Sequence, residues 1–419
     1  MMTKKHFFIL LLLLIIFIIY IIPAKRQNFF KSYKKEDKAS KSLAIFKKKP
    51  TQEIVINTIK WNYLAYGKGA KTILFIHGMG GAYDLWWQQM EFFKDQYKVI
   101  SYTLPEEIDN LQDAANGVLK ILEKENTQQF YVVGTSMGGY IAQYLTHKIP
   151  DRIEKVVFGN TFPPNTVIEK KNKSKSKIIP WLPEILISKL GEQKLNDEIV
   201  PAGNNSPLLK AFLPSLPFSK KQFINRYSVV IDKFIPNPST YKLKRIPKLI
   251  IESDNDPLVE KVLREKLKET YTDASVFTFH NQGHFPYINS AQKYNEVLAS
   301  FFDTTNEYKT LEQTITNYFE GRRNTDITLL TKAFDTNAML FTTKDSSVLK
   351  IPLTAYFDKV KQDGKTAVIT QILDATIQGE MAVCNTSFEY KTKTYHDYLT
   401  LLKVNNKWKI TSKNFIKTK

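Results

Sequence analysis

Gly134-Thr-Ser136-Met-Gly138-Gly139 follows the apolar run 130–133 and precedes a stretch with Tyr140, Ile141, Ala142, Tyr144 and Leu145 at helical spacing. A serine at a tight strand-to-helix turn is held in a strained backbone conformation. Only small neighbours such as Gly134 and Gly138 let the chain pass that closely, and the hydroxyl then projects into a cleft. The chemistry such a hydroxyl offers is nucleophilic attack. Serine is a weak nucleophile, so a base must take its proton and a third group must orient that base.

The chain has six histidines. His6 lies in an N-terminal apolar segment, His147 at the exposed end of a helix and His396 in the last hundred residues. His77, inside HGMGG, suits support of a turn better than proton transfer. His280 sits in a strand pattern, whereas His284 follows Gly283 in the loop NQGHFPY, which fits a catalytic imidazole. His284 is the expected base.

For the orienting carboxylate, PKLIIES runs into DNDPLV, and Asp254 and Asp256 both stand at that strand end. Asp256, followed by Pro257, is preferred, with Asp254 the rival; Glu252 reads as structural. Charge developing on a tetrahedral intermediate needs preset N–H donors, and the amides of Met79 and Met137 are the candidates. His77, Gly78, Gly134 and Gly138 form the supporting turns. HGMGG lacks both the G-x-G-x-x-G spacing and a Walker lysine, so it does not read as a nucleotide loop. The pattern calls for no cofactor and no metal.

These residues need a scaffold. From Ile54 short β-rich runs alternate with amphipathic stretches, which predicts an α/β domain with a mostly parallel sheet over 51–303. TILFIH, VISYTL, FYVVG, KVVFGN, PKLIIES and SVFTFH are its strands. The alternation breaks at about 162–244, a proline- and lysine-rich helical insertion expected to cap the sheet's carboxyl edge. Trp86, Trp87, Phe92 and Phe93 read as packing a helix on the sheet. Residues 306–419 are helices followed by antiparallel strands, a separate α+β domain with a hairpin turn at Asn405-Asn406.

The formal net charge is +19, and residues 1–50 hold twelve of the basic side chains against Glu36 and Asp37 alone. A charge block beside an apolar segment reads as a tether to anionic lipid, not a nucleic-acid groove. No nucleic-acid partner is expected. The run 7–22 is sixteen apolar residues, between the length of a signal core and that of a span. A single-pass N-terminal anchor over 1–24 is favoured because Ile22-Pro23-Ala24 makes a poor cleavage site; export after cleavage is the alternative. Residues 25–50 then read as a basic linker. The lone Cys384 reads as a small core hydrophobe.

FIHGMGG, GTSMGGYIAQYLTHKIPDRIEKVVFGNT, SDNDPLV and GHFPYIN together resemble the α/β-hydrolase superfamily, in the branch of small-ester, lactone and carbon–carbon-bond hydrolases, over about 54–303. The resemblance implies a serine hydrolase with Ser136, Asp256 and His284 as triad, Met79 and Met137 as oxyanion hole, and a small acyl substrate. Two departures stand out. Ser253 occupies a position where glycine is common, and VISYTLPEE lacks the usual acidic, glycine-rich turn. The tail, with YFEGRRNTDITLLTKAF, IPLTAYFDKV and DYLTLLKVNNKWKI, resembles the lumazine-binding family of cone-shaped α+β barrels similar to nuclear transport factor two. Its expected role is structural or associative, with a homodimer as the expected product. The competing reading of the whole is a catalytically idle small-molecule-binding or scaffold protein on the same fold.

Overall fold

The computed structural model describes residues 11, 14 and 17–418. They form two units, one of residues up to Pro238 with Pro247–Thr304, the other of Ser239–Ile246 with the chain from Thr305.

The first unit is an eight-stranded sheet in the order β1-β2-β4-β3-β5-β6-β7-β8. β1 (Gln52–Ile56) and β2 (Ile59–Tyr66) form an antiparallel hairpin on its edge, and β2 pairs antiparallel with β4 (Lys98–Thr103). From β4 onward all neighbours are parallel: β3 (Thr72–Ile76), β5 (Phe130–Thr135), β6 (Ile153–Gly159), β7 (Lys248–Ser253) and β8 (Ser275–Phe279). β3, β5 and β7 are buried at every position, as strands with helices on both faces must be. The strand order turns around between β3 and β5. The crevice outside their carboxyl ends is where such sheets bind ligands.

The helices follow from apolar periodicity. In Leu111–Lys124, Leu111, Ala114, Ala115, Val118, Ile121 and Leu122 are buried along one face. Asn110 caps its first turn by accepting from the Asp113 amide at 2.8 Å, a contribution of about 1 kcal/mol. Lys155 closes another helix, Ala291–Asp303, at its negative end: Nζ donates to the carbonyls of Phe301, Phe302 and Thr304 at 2.6–2.9 Å. Trp86 and Trp87 are fully buried and Phe93 nearly so, whereas Phe92 is half exposed.

Between β6 and β7 the chain is helical, with Val167–Ile178, Glu184–Lys194, Pro207–Phe212 and Lys220–Ile231 as the longer pieces. This is the region read as a cap, although 239–246 groups with the second unit. Residues 25–50 are more than a linker: short helices Phe29–Ser32 and Lys38–Phe46 bury Phe29, Tyr33, Leu43 and Phe46 in the same core as Trp86, Trp87 and Phe212.

The expected single-pass anchor is corrected. No helix among the described residues is long and apolar enough to cross a membrane; residues 7–10, 12, 13, 15 and 16 of the apolar run lie outside the described residues. The chain that follows the run is bound to the body. The Ala24 amide donates to Glu184 at 2.9 Å and the Gln27 amide to the Pro214 carbonyl at 3.1 Å.

The second unit is a six-stranded sheet in the order β10-β9-β14-β13-β12-β11, a cone-type α+β domain with helices Glu307–Asn324, Ile327–Ala333 and Leu353–Asp363. β9 (Phe334–Lys344) and β14 (Lys407–Thr418) are the one parallel pair described; β10 (Ser347–Pro352), β11 (Ile369–Gln378), β12 (Met381–Tyr390) and β13 (Lys393–Val404) pair antiparallel. Asn405 and Asn406 take φ of 49° and 59°, the left-handed pair of a type I′ hairpin turn. Cys384 is fully buried in this core, and burial pushes its thiol up to about 12. Asp326 accepts from the Leu329 amide as a helix cap, and His396 lies within β13.

Candidate active site

Ser136 joins β5 to the helix Met137–Lys148, with φ 56° and ψ −123°. That conformation costs a non-glycine residue about 1–3 kcal/mol and persists only where the surroundings enforce it. Two glycines make it sterically feasible. A Cβ on Gly134 would lie 2.1 Å from the Gly138 carbonyl, and one on Gly138 would lie 2.2 Å from the Ile76 carbonyl. The turn is held by the Ser136 amide donating to Gly159 O at 2.9 Å and by Thr161 Oγ1 donating to Ser136 O at 2.6 Å. Although Ser136 is the N-cap residue, its side chain makes no capping bond, so the hydroxyl is not spent on the helix.

Asp256 follows β7 and is 8% exposed; His284 follows β8 and is 3% exposed. His284 Nδ1 lies 2.8 Å from Asp256 Oδ2 and 3.0 Å from Oδ1. An ionised carboxylate only accepts, so Nδ1 carries the proton and Nε2 is left with its lone pair. Burial pushes the Asp256 carboxyl up. Its pairing with His284, with bonds from Asn160 and the Leu258 amide, outweighs that and holds the carboxyl below its ordinary value.

The rivals stand elsewhere. Asp254 and His280 pair with each other at 2.7 Å, with 42% and 77% of their side chains exposed. Glu252 is buried and accepts from Lys268 and Thr278. His147 is half-buried, not exposed, and donates to Gln143 O.

Two residues not singled out in the sequence complete the acid side. Asn160, at the end of β6, donates from Nδ2 to Asp256 Oδ2 at 3.0 Å while its own amide donates to Ile251 O at 2.7 Å. Arg264 grips the turn below by donating to Ser253 O at 2.5 Å and Asp254 O at 3.0 Å. The strand end KVVFGN was the only hint of Asn160.

The loop after β3 abuts the serine: a Cβ on Gly78 would lie 3.1 Å from Ser136 Cβ. His77 is fully buried. Its Nδ1 donates to Gly78 O at 2.7 Å, and its Nε2 accepts from the Leu104 amide at 2.9 Å. Burial, reinforced by the Arg226 charge, lowers its pKa to about 3, so the ring is neutral. A planar peptide points its N–H opposite its C=O, so fixing Gly78 O fixes the Met79 amide. Among the described residues neither the Met79 nor the Met137 amide donates a hydrogen bond. Met137 opens a helix, where N–H groups lack intrahelical acceptors and carry partial positive charge.

The alpha/beta hydrolase fold family model matches residues 71–291, and a model for lumazine-binding-like domains matches residues 306–416. A 3-oxoadipate enol-lactonase 2 of Acinetobacter baylyi is 30% identical over 112 residues, 24% of this chain and 41% of its own length. The dihydrolipoyllysine-residue acetyltransferase component of an acetoin cleaving system of Cupriavidus necator is 32% identical over 24% of this chain and 29% of its own. Both matches span less than half of the relative. An (E)-2-((N-methylformamido)methylene)succinate hydrolase of Acinetobacter baylyi matches at 19% identity over 58% of this chain and 94% of its own. Among solved structures, the enol-lactonase of Burkholderia xenovorans superposes with a TM-score of 0.52 at 17% identity, covering 60% of this chain and all of that one; it shares the fold. The chain belongs to the alpha/beta hydrolase fold family, with a lumazine-binding-like domain over residues 306–416.

Proposed function

We propose that the chain cleaves a carboxylic ester or related acyl bond through an acyl-serine intermediate. The observation that carries this is the buried His284–Asp256 pair at 2.8 Å, with a strained serine whose hydroxyl is not spent on capping. Ser136 Oγ attacks the acyl carbon as its proton passes to His284 Nε2. The carbonyl electrons move onto oxygen, where the Met79 and Met137 amides receive the charge. Collapse expels the alcohol, which takes the proton from the imidazolium, and water then repeats the cycle on the acyl-serine. Asp256 holds the tautomer and stabilises the imidazolium. The names of two relatives, an enol-lactonase and a succinate-type hydrolase, make lactones and esters of small acids the first substrates to assay.

Hydrolysis of aryl esters of increasing acyl length, by the full chain and by Ser136→Ala, tests the reading. Turnover that falls at least about 10³-fold in the variant is expected. A folded wild type with no turnover at any length favours the binding-protein alternative.

For the second unit we infer an association role. Met381 and Leu402 are direct cross-strand neighbours on β12 and β13, both 44% exposed, with Val383 at 43% beside them. Adjacent exposed apolar side chains on a sheet face support that reading. Sedimentation of the full chain is expected to give a dimer that Leu402→Glu dissociates; a wild-type monomer contradicts it.

A further inference from the structure

Arg226, on the helix Lys220–Ile231, has no exposed surface and no carboxylate partner among the described residues. A buried charge without a counterion is costly unless its donors are satisfied. Here three backbone carbonyls accept from the two Nη atoms, and Nε is left without a partner among the described residues. Nη1 donates to Met79 O and Gly81 O, both at 2.8 Å, and Nη2 to Leu104 O at 2.7 Å. Desolvation nevertheless lowers its pKa to about 9. A methionine would fill similar space without that cost, so the sequence keeps a guanidinium where packing alone does not need one.

Its three acceptors lie on two loops, and the one after β3 abuts the serine. Leu104, held by its carbonyl, donates its amide to His77 Nε2, and His77 donates to Gly78 O. The Gly81 amide reaches the same carbonyl at 2.9 Å. On the far side of that peptide is the Met79 N–H. We propose that Arg226 is a positioning residue that sets the direction of the Met79 amide, and so couples the helical insertion to the oxyanion hole; this rests on the serine-hydrolase reading above. The guanidinium acts twice. Its fork holds the Met79 and Gly81 carbonyls, and its charge adds to burial in keeping His77 uncharged; the Tyr102 ring facing His77 from β4 is a neutral phenol and adds no charge. A protonated His77 would turn Nε2 into a donor against the Leu104 amide.

The test is steady-state hydrolysis of a short-chain aryl ester by the full chain, Arg226→Met and Arg226→Lys. Rates are expressed per site titrated with a fluorophosphonate, which removes any unfolded fraction. Hydrogen exchange of the peptide spanning 77–81 is followed in parallel. The expected result is a fall in kcat of about 10–100-fold in Arg226→Met with KM within about threefold, since the interaction is made in the transition state. Arg226→Lys, which retains charge but not the fork, is expected between the two, and exchange at 77–81 to quicken in the same order. If Arg226→Met does not fold, Arg226→Lys is read by the same split. An active wild type with kcat per site unchanged in the variants overturns the positioning role alone. An inactive, unlabelled wild type overturns the serine-hydrolase reading and the oxyanion role with it.

Discussion

His284 Nδ1 sits 2.8 Å from a carboxylate oxygen of Asp256, and both side chains are almost wholly removed from solvent. Two positions away, Asp254 spends its carboxylate on an exposed histidine. The two aspartates are therefore separable by experiment. Asp256→Asn is expected to lower kcat by about 10⁴-fold, because an amide orients the wrong imidazole tautomer. Asp254→Asn is expected to change it less than about twofold, since an exposed pair contributes little. Aryl-ester kinetics on both variants check this; a large loss in Asp254→Asn transfers the role.

Asn160 donates to Asp256 Oδ2, the oxygen that lies 2.8 Å from His284 Nδ1. Asn160→Ala removes one donor from a buried carboxylate, which costs about 1–3 kcal/mol. A lower denaturation midpoint and a several-fold lower kcat are the expected outcome. Equal midpoints would show that water replaces the amide.

His77 links pH to stability. Its pKa is lowered from 6.5 to about 3 in the folded chain, so between those values the unfolded state binds the extra proton. Stability is therefore complete above pH 6.5 and is lost as pH falls towards 3, at up to about 1.4 kcal/mol per unit. Asp256, also depressed, adds its loss below 3.8. Denaturant unfolding of wild type and His77→Asn across this window measures the difference; identical slopes would contradict it.

Gly134 has no room for a methyl group, because the Gly138 carbonyl would lie 2.1 Å away. Gly134→Ala is expected to abolish soluble folded protein or Ser136 labelling. Gly191→Ala, with nothing within 4 Å, is the control. A fully labelled Gly134→Ala protein would show that the turn relaxes.

Much of this arrangement is legible before any coordinates. TILFI runs into His77-Gly78 and FYVV into Gly134, two short apolar runs stopped at glycine-rich turns, and GTSMGG needs the turn it makes. Proximity in sequence hides what burial separates: Asp254 and Asp256 share one turn, yet one faces solvent and the other the imidazole. Arg226 is illegible for the opposite reason, since its acceptors are backbone carbonyls more than a hundred residues away. The lysines at 25–50 hide how much of that stretch is packed, since Phe29, Tyr33, Leu43 and Phe46 are spaced among them and buried in the core. β10 is illegible in the sequence because an exposed edge strand carries little apolar alternation.

The most direct measurement is covalent. The full chain is treated with a fluorophosphonate, its intact mass recorded and the modified peptide sequenced. One adduct per chain on Ser136, absent in Ser136→Ala and slowed in His284→Ala, is expected. No adduct on the folded chain, or one on another residue, would contradict the assignment of Ser136 as nucleophile.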